Sequence, residues 1–189
     1  MMVCLDDCPP NDFSRADLEV AVQRTINWAK RSKAEYLKQI KKRKISSTKR
    51  PLLFAVIQGG ADLDLRKYCA TELIAIGFDG YGFGARPVDK NGNFLEEVLR
   101  VTASLIPPNA LRFALGIGTP EDIRRCAYLG WDMFDCVIPT REGRHGKLYL
   151  ASGQKYKTIN INNAKFARDF LPINKNSQIK ELSSQTRAF

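Results

Sequence analysis

A parallel-sheet α/β fold is predicted for this chain of 189 residues. Five short apolar segments rich in β-formers alternate with helical stretches, which is the order of a parallel sheet covered by helices. The segments are also near-continuously apolar, as strands buried on both faces are. Polar and glycine residues gather where the strands end: Asp6 and Asp7, Gln58-Gly59-Gly60, Gly84, Gly116 and Gly118, and Asp135. Two architectures fit these observations, an open doubly wound sheet and a (β/α)8 barrel. In a barrel all the strand ends converge on the face that carries the active site. Five strands cannot close such a barrel, which usually takes about 250 residues.

The elements follow in order. A first strand covers 3-VCL-5, and a long helix runs from Ser14 to about Lys42. Ser14 and Asp17 have the spacing of a capping box that satisfies orphan N–H groups. Leu18, Val22, Thr25 and Ala29 recur at helical spacing and form its buried face. The second strand is 52-LLFAVIQ-58, followed by a helix from Asp62 to Ile76; the third is 78-FDGYGF-83, followed by a helix from Phe94 to Leu105. The fourth strand is 111-LRFALGI-117, and the next helix spans Pro120 to Leu129. Thr119 and Asp122 repeat the capping box, and Pro120 sits at a first helical position, where its missing N–H costs nothing. The fifth strand is 132-DMFDCVI-138. Beyond it the pattern changes: 145-HGKLYLASGQKYKTININ-162 alternates polar and apolar around Ser152-Gly153, as a β-hairpin does. The polar tail from Asn163 carries one short helix through Phe170. The domain organisation expected is a barrel region over 1–146 and a small subdomain over 147–189.

Composition narrows the classes of function. The longest apolar runs are far too short to span a bilayer, so no membrane partner is expected. The N-terminal MMVCLDDCPP has neither a basic n-region nor a long apolar h-region, which argues against a secretory signal. Five scattered cysteines, an odd number, suit reduced thiols in a cytoplasmic protein. Cys4 and Cys8 are two donors where zinc needs roughly four. The net charge of +10 suits a polyanionic partner, because Lys and Arg neutralise phosphates. Between Lys30 and Arg50 stand ten basic residues and one acid, Glu35. That stretch reads either as a solvated helix end with a linker or as an RNA contact.

At 131-WDMFDCVIPTREGRHG-146 the run D-M-F-D-C-V-x-P-T-R-x-x-R-x-G resembles the nucleophile segment of the tRNA-guanine transglycosylases. Four further segments occur in that family's order: 6-DDCPP-10, 54-FAVIQGG-60, 77-GFDGYGFGA-85 and 113-FALGIGTPEDI-123. Helix 1 adds 28-WAKRSK-33, similar to a W-A-x-R-S run there. Each of the five lies at a strand end, and the resemblance covers Val3 to about Phe170. It implies the second half of a TIM-type barrel, about five strands, followed by a small hairpin subdomain.

The implied activity is exchange of guanine for a 7-deazaguanine (preQ1 or queuine) at the wobble position of tRNA, a step of queuosine modification. Base exchange at C1′ is glycosyl transfer through an oxocarbenium-like state, and a carboxylate can capture that carbon covalently. The resemblance gives this part to Asp135. It assigns base binding to Asp6, Cys8, Gln58, Gly84, Ala85, Phe113 and Leu115. A carboxylate such as Asp6 can accept both N1–H and the 2-amino group of a flipped guanine, and the amide of Gln58 can donate towards O6. For Phe113 and Leu115 core packing is an equal contender. RNA contacts are implied for Gly116, Gly118, Thr119, Glu121 and Asp122 in the turn at a helix N-terminus, where free N–H groups favour an anion. They are implied also for Thr140, Arg141 and Arg144 beside the nucleophile, since the arginine fork suits phosphate and base edges. His145, the only histidine, has no catalytic counterpart.

Several departures qualify the resemblance. Asp7 stands where the bacterial pattern has Glu. The family's Gly-Gly-Leu, which faces the 7-substituent of the base, is 84-GAR-86 here. The family's structural zinc is expected to be absent: matching 186-TRAF-189 to S-R-A-Y puts Ser177, Ile179 and Leu182 at the cysteine positions, and none of these is a zinc ligand. The family's first three strands and a second catalytic aspartate would precede Met1, so an unpaired sheet edge and marginal stability are expected. A truncated or split gene product is expected on that ground, either degenerate or completed by a second chain or a homodimer. The rival function is a non-catalytic RNA-binding accessory subunit or an inactive truncated paralogue, and a third reading is a barrel enzyme acting on a free nucleobase. Keeping Asp135, Asp6 and Gln58 together favours a catalytic ancestry, whereas loss of the zinc ligands and first strands favours the rival.

Overall fold

The computed structural model describes residues 1–10, 13–152 and 155–188. The tip of the expected hairpin, at Gly153, and the last residue of 186-TRAF-189 lie outside them. Among the described residues no helix is long and apolar enough to cross a membrane.

Two compact units are present. Met1–Ile117 with Arg125–Asp135 form the first, and Gly118–Arg124 with Cys136–Phe189 form the second. The first contains a five-stranded parallel sheet of β1 (Met2–Val3), β2 (Leu53–Ile57), β3 (Gly80–Phe83), β4 (Leu111–Leu115) and β5 (Met133–Asp135). Its strands stand in sequence order, β1-β2-β3-β4-β5. A doubly wound sheet reverses its order at a switch point; this one never does. With right-handed crossovers every helix then falls on one side, which makes the sheet half of a (β/α)8 barrel. β1 and β5 are its edges.

The connecting helices are α1 (Arg15–Lys42), α2 (Leu63–Ile76), α3 (Glu96–Leu105) and α4 (Pro120–Tyr128). Ser14 accepts from the Asp17 N–H and donates its hydroxyl to the Asp17 carboxylate, closing the first turn of α1. The Asp62 carboxylate accepts from the N–H groups of Asp64 and Leu65 to start α2. Thr119 and Asp122 make the same reciprocal pair before α4. Each such cap is worth about 1 kcal/mol.

Pleat alternation sorts the strand residues into two faces. Leu53, Ala55, Ile57, Tyr81, Phe83 and Ala114 face the helices, and all are buried. From the helices come the buried Val22, Ile26, Cys69, Leu73 and Leu99, each side chain worth roughly 2 kcal/mol in apolar burial. The other, inner face carries Phe54, Val56, Phe113 and Leu115, with only glycine from the middle strand.

Several boundaries differ from the sequence reading. α3 begins at Glu96 rather than Phe94, because Phe94 is held in an antiparallel bridge to Val88 around a turn organised by the Asp89 carboxylate. The fifth strand stops at Asp135 instead of reaching Ile138. A further helix, α5 (Ile138–Arg144), follows with Pro139 in its first turn. The hairpin is present as β6 (Lys147–Ser152) and β7 (Lys155–Asn160), antiparallel with Lys147 opposite Asn160. The tail holds a single 3-10 turn at Ala164–Phe166 and a short α6 (Lys180–Ser184) in place of one helix through Phe170.

Candidate active site

The inner face of β3 is a run of glycines, Gly80, Gly82 and Gly84, and its neighbours lie across it. A Cβ on Gly80 would stand 2.2 Å from the Phe54 ring, and one on Gly82 would stand 2.5 Å from Leu115. Phe54 and Phe113 meet edge to face over this bare strand, with centroids 6.2 Å apart. The glycines therefore let side chains of β2 and β4 close over β3 and cover the middle of the inner face.

The top layer of that face is polar. Phe83 pairs with Ile57 and Ala114, and Leu115 pairs with Asp135. One step on, Gly84 continues the ladder by donating to the Ile57 carbonyl at 2.9 Å. Gln58, Gly84, Leu115 and Asp135 thus share one level and one face along the C-terminal rim. A Cβ on Gly84 would lie 2.4 Å from Gln58 Nε2, so the amide rests against the glycine.

Asp6 joins this row through its carboxylate, which accepts from Gln58 Nε2 at 2.6 Å. Burial pushes the Asp6 carboxyl above its ordinary range, against the bond from Gln58 that pulls it down. Its neighbour Asp7 is drawn the other way: its N–H donates to Thr25 Oγ1 at 2.9 Å, and its carboxylate pairs with Arg24, both on α1. So of the two adjacent acids only Asp6 serves the rim. Gln58 is fully buried, and among the described residues its Oε1 has no hydrogen-bond partner. The sequence reading has this amide donating to a base; of its two Nε2 hydrogens, one is engaged with Asp6. The Gln58 N–H donates to Cys69 Sγ at 3.4 Å, and burial pushes that thiol up to about 12, keeping it neutral.

Asp135 is exposed at the end of β5, and its Oδ1 accepts from the Gly116 N–H at 3.2 Å. Gly116 holds φ 75°, which turns the chain back at the end of β4 and aims that N–H at the carboxylate. One bond leaves most of the carboxylate's lone pairs available, as a nucleophile requires. Phe113 is buried one layer below the rim against Phe54, whereas Leu115 is half-buried in the rim itself. Cys8 is an exposed free thiol. Ala85 holds φ 91°, a region that favours glycine, so this L-residue sits strained beside Gly84.

Sequence reasoning missed Arg66. It is fully buried on α2, and its guanidinium donates to three carbonyls: Gly60 at 2.7 Å, Gly84 at 2.8 Å and Ile57 at 3.2 Å. Its cation also stacks 4.1 Å above the Phe83 ring. Burial pulls the group down to about 9, so it remains charged at neutral pH. Arg66 thereby ties together the ends of β2 and β3, which carry Gln58 and Gly84.

The remaining candidates belong to the second unit. Thr119 and Asp122 cap α4, which engages both in structure. Gly118 has no room for a side chain, since its Cβ would fall on Cys136 Sγ. Glu121 is exposed on the first turn of α4. Thr140, Arg141 and Arg144 are exposed on α5, and Arg141 is within 3.5 Å of Glu142, which also pairs with Lys147. In the tail, Ser177 Oγ accepts from the Ile179 N–H, and Ile179 and Leu182 offer only aliphatic side chains. One hydroxyl and two hydrocarbons do not fit zinc. Among the described residues no group of three His, Cys, Asp or Glu side chains gathers as a metal site would need.

Comparison with known proteins bears on this geometry. The profile of the family described as "Queuine tRNA-ribosyltransferase" matches residues 1–188. A queuine tRNA-ribosyltransferase of Methylacidiphilum infernorum is 39% identical over 173 residues, covering 92% of this chain and 45% of the relative. That of Symbiobacterium thermophilum is 33% identical over 189 residues, covering all of this chain and 44% of the relative. That of Bacillus subtilis is 34% identical, again over the whole chain and 46% of the relative. The chain thus spans less than half the length of the curated relatives it matches.

Proposed function

This chain belongs to the queuine tRNA-ribosyltransferase family, and on that premise we propose that its rim is part of a site exchanging guanine for a 7-deazaguanine at the wobble position of tRNA. Asp135 attacks C1′ of the ribose as the bond to N9 of guanine breaks. The electron pair leaves with N9, which takes up a proton, and an aspartyl-ribose ester remains. N9 of the incoming base then attacks C1′, loses its proton and displaces the carboxylate, so that two inversions give retention. Asp6 holds the purine by accepting from its N1–H and 2-amino group. Gln58 fixes the Asp6 carboxylate with one Nε2 hydrogen and donates the other towards O6 of the base, while Leu115 and the bare backbone of Gly84 form the wall. Cys8, Ala85 and Phe113 line or support the base pocket. Gly116, Gly118, Thr119, Glu121 and Asp122, with Thr140, Arg141 and Arg144, contact the anticodon loop.

The observation that carries this reading is the single-level row of Gln58, Gly84, Leu115 and Asp135 with Asp6 bonded into it. The open edges of β1 and β5 suit completion of the barrel by a second chain or another copy. The chemistry calls on no metal, and a tRNA substrate with five free thiols suits the cytoplasm. Incorporation of labelled guanine into a wobble-G tRNA tests the proposal. Exchange by the chain that disappears in Asp135→Ala supports it; no exchange, or exchange indifferent to that substitution, removes it.

A further inference from the structure

We propose that the C-terminal end of α1 is a second RNA-binding surface, contacting tRNA phosphates far from the exchanged base. From Tyr36 to Ala61 the chain has no acidic residue, yet it carries Lys38, Lys41, Lys42, Arg43, Lys44, Lys49 and Arg50. Lys38 pairs with Glu35, and Arg50 pairs with Asp79. Lys41, Lys42, Arg43, Lys44 and Lys49 are all exposed, and among the described residues none forms an ion pair.

Their place is opposite the rim. The start of α1 is tied to the C-terminal ends of the strands, with Arg15 bonded to Asp62 at 2.6 Å and Thr25 bonded to Asp7. Its later turns are tied to the strand starts, since Tyr36 donates to the Pro51 carbonyl just before β2. At 28 residues the helix is about 42 Å long. A ligand confined to the rim cannot touch its far end.

The way the helix ends adds a second observation. Lys44 N–H donates to the Lys41 carbonyl and Ile45 N–H to that of Ile40, with Lys44 at φ 50°. In this stop signal the left-handed position favours glycine. A lysine there sacrifices backbone ease and adds a cation to an already basic end. Two cations suffice to complement the helix dipole within its last turn; the surplus needs another explanation.

The chemistry of the partner follows from the arrangement. Successive helical residues point about 100° apart, so Lys41 to Lys44 fan around the helix end and cannot converge on one small anion. A backbone of repeating phosphates can be met by such a fan. A membrane surface would require an exposed apolar face. Here Tyr36 is buried with Cys4 and Leu53, and Ile40 packs against them, so from Tyr36 to Lys44 the helix exposes one large apolar side chain, Leu37, and not a face of them.

The inference rests on the tRNA reading for the identity of the RNA, and its test is binding rather than exchange, so either can fail alone. Wobble-G tRNA and its isolated anticodon stem-loop are titrated by fluorescence anisotropy across a salt series. The quadruple change Lys41→Gln, Lys42→Gln, Arg43→Gln, Lys44→Gln is expected to weaken tRNA binding at least about tenfold and to flatten the log Kd against log salt slope by about 3. Stem-loop affinity is expected to stay unchanged. An unaltered slope with tRNA, or an equal loss with the stem-loop, overturns the proposal. So does loss of binding to phosphatidylserine vesicles with tRNA binding retained. Lys44→Gly guards against a folding artefact: it is expected to raise the melting temperature while flattening the slope by about 1. A steeper or unchanged slope in that variant also overturns it.

Discussion

Replacing Gly84 by alanine tests the rim through its tightest contact. The added methyl would stand 2.4 Å from Gln58 Nε2, 2.5 Å from Cδ and 2.8 Å from Oε1, all far inside van der Waals separation. Gln58 is fully buried, and moving its amide away from the methyl strains or breaks its 2.6 Å bond to Asp6. Overpacking of this kind costs about 1–3 kcal/mol. Losing a hydrogen bond to a charged group costs about 1.5–3 kcal/mol more. Together these give a destabilisation of roughly 3–5 kcal/mol, a large share of an ordinary domain's stability. In whatever molecules stay folded, the base-holding pair Asp6–Gln58 is displaced by about 1 Å, which lowers kcat/KM on the order of a hundredfold. Urea melts and guanine exchange, run side by side, read both effects. Gly143→Ala is the control: among the described residues nothing lies within 4 Å of its Cβ, and alanine suits a helix, so its stability should rise by about 0.5–1 kcal/mol. A Gly84→Ala protein that melts like the wild type and exchanges guanine at full rate would refute the packing described for the rim.

Arg66→Met removes three hydrogen bonds from buried carbonyls and should cost about 3–5 kcal/mol in urea melts, with Arg66→Lys intermediate; a loss under about 1 kcal/mol would mean the clamp is dispensable. Asp6→Asn probes linkage. The folded protein holds the Asp6 proton to a higher pH than the unfolded chain, so ionisation costs stability as pH climbs from 3.8 through the raised value, and the cost is complete above it. The asparagine variant should therefore melt above wild type at pH 7 and converge with it near pH 3, while exchange falls roughly a hundredfold; parallel melting curves at both pH values would contradict this. Ala85→Gly releases a residue from φ 91° and should raise stability by about 1 kcal/mol in the same melts, with a fall counting against strain at that position.

Much of this was legible in the chain itself. Short segments rich in β-formers located β2, β3 and β4, and paired hydroxyl and acid residues at Ser14 and Thr119 located two helix starts. Glycines and acids at the strand ends pointed to the rim. The start of α5 was hidden because 136-CVI-138 prolongs the apolar run of β5 and its one helix signal, Pro139, comes after it. Arg66 was hidden because a cation between Leu65 and Lys67 reads as a solvated helix position; only the approach of three carbonyls explains its burial. The glycines at 80, 82 and 84 are plain in the sequence, but their use depends on the register that lays Phe54, Leu115 and Gln58 across them. The orientation of the Gln58 amide is set by a residue 52 positions away, which no local pattern encodes.

Everything chemical in this proposal depends on the Asp135 carboxylate bonding to a ribose carbon. Incubating the chain with wobble-G tRNA in the absence of any incoming base, then digesting it and mapping peptide masses, looks for that bond directly. A nucleotide adduct on the peptide containing Asp135, lost in Asp135→Asn and discharged by adding guanine, is the expected result. An adduct on a different residue, or guanine exchange that proceeds while no adduct forms at Asp135, would contradict the account.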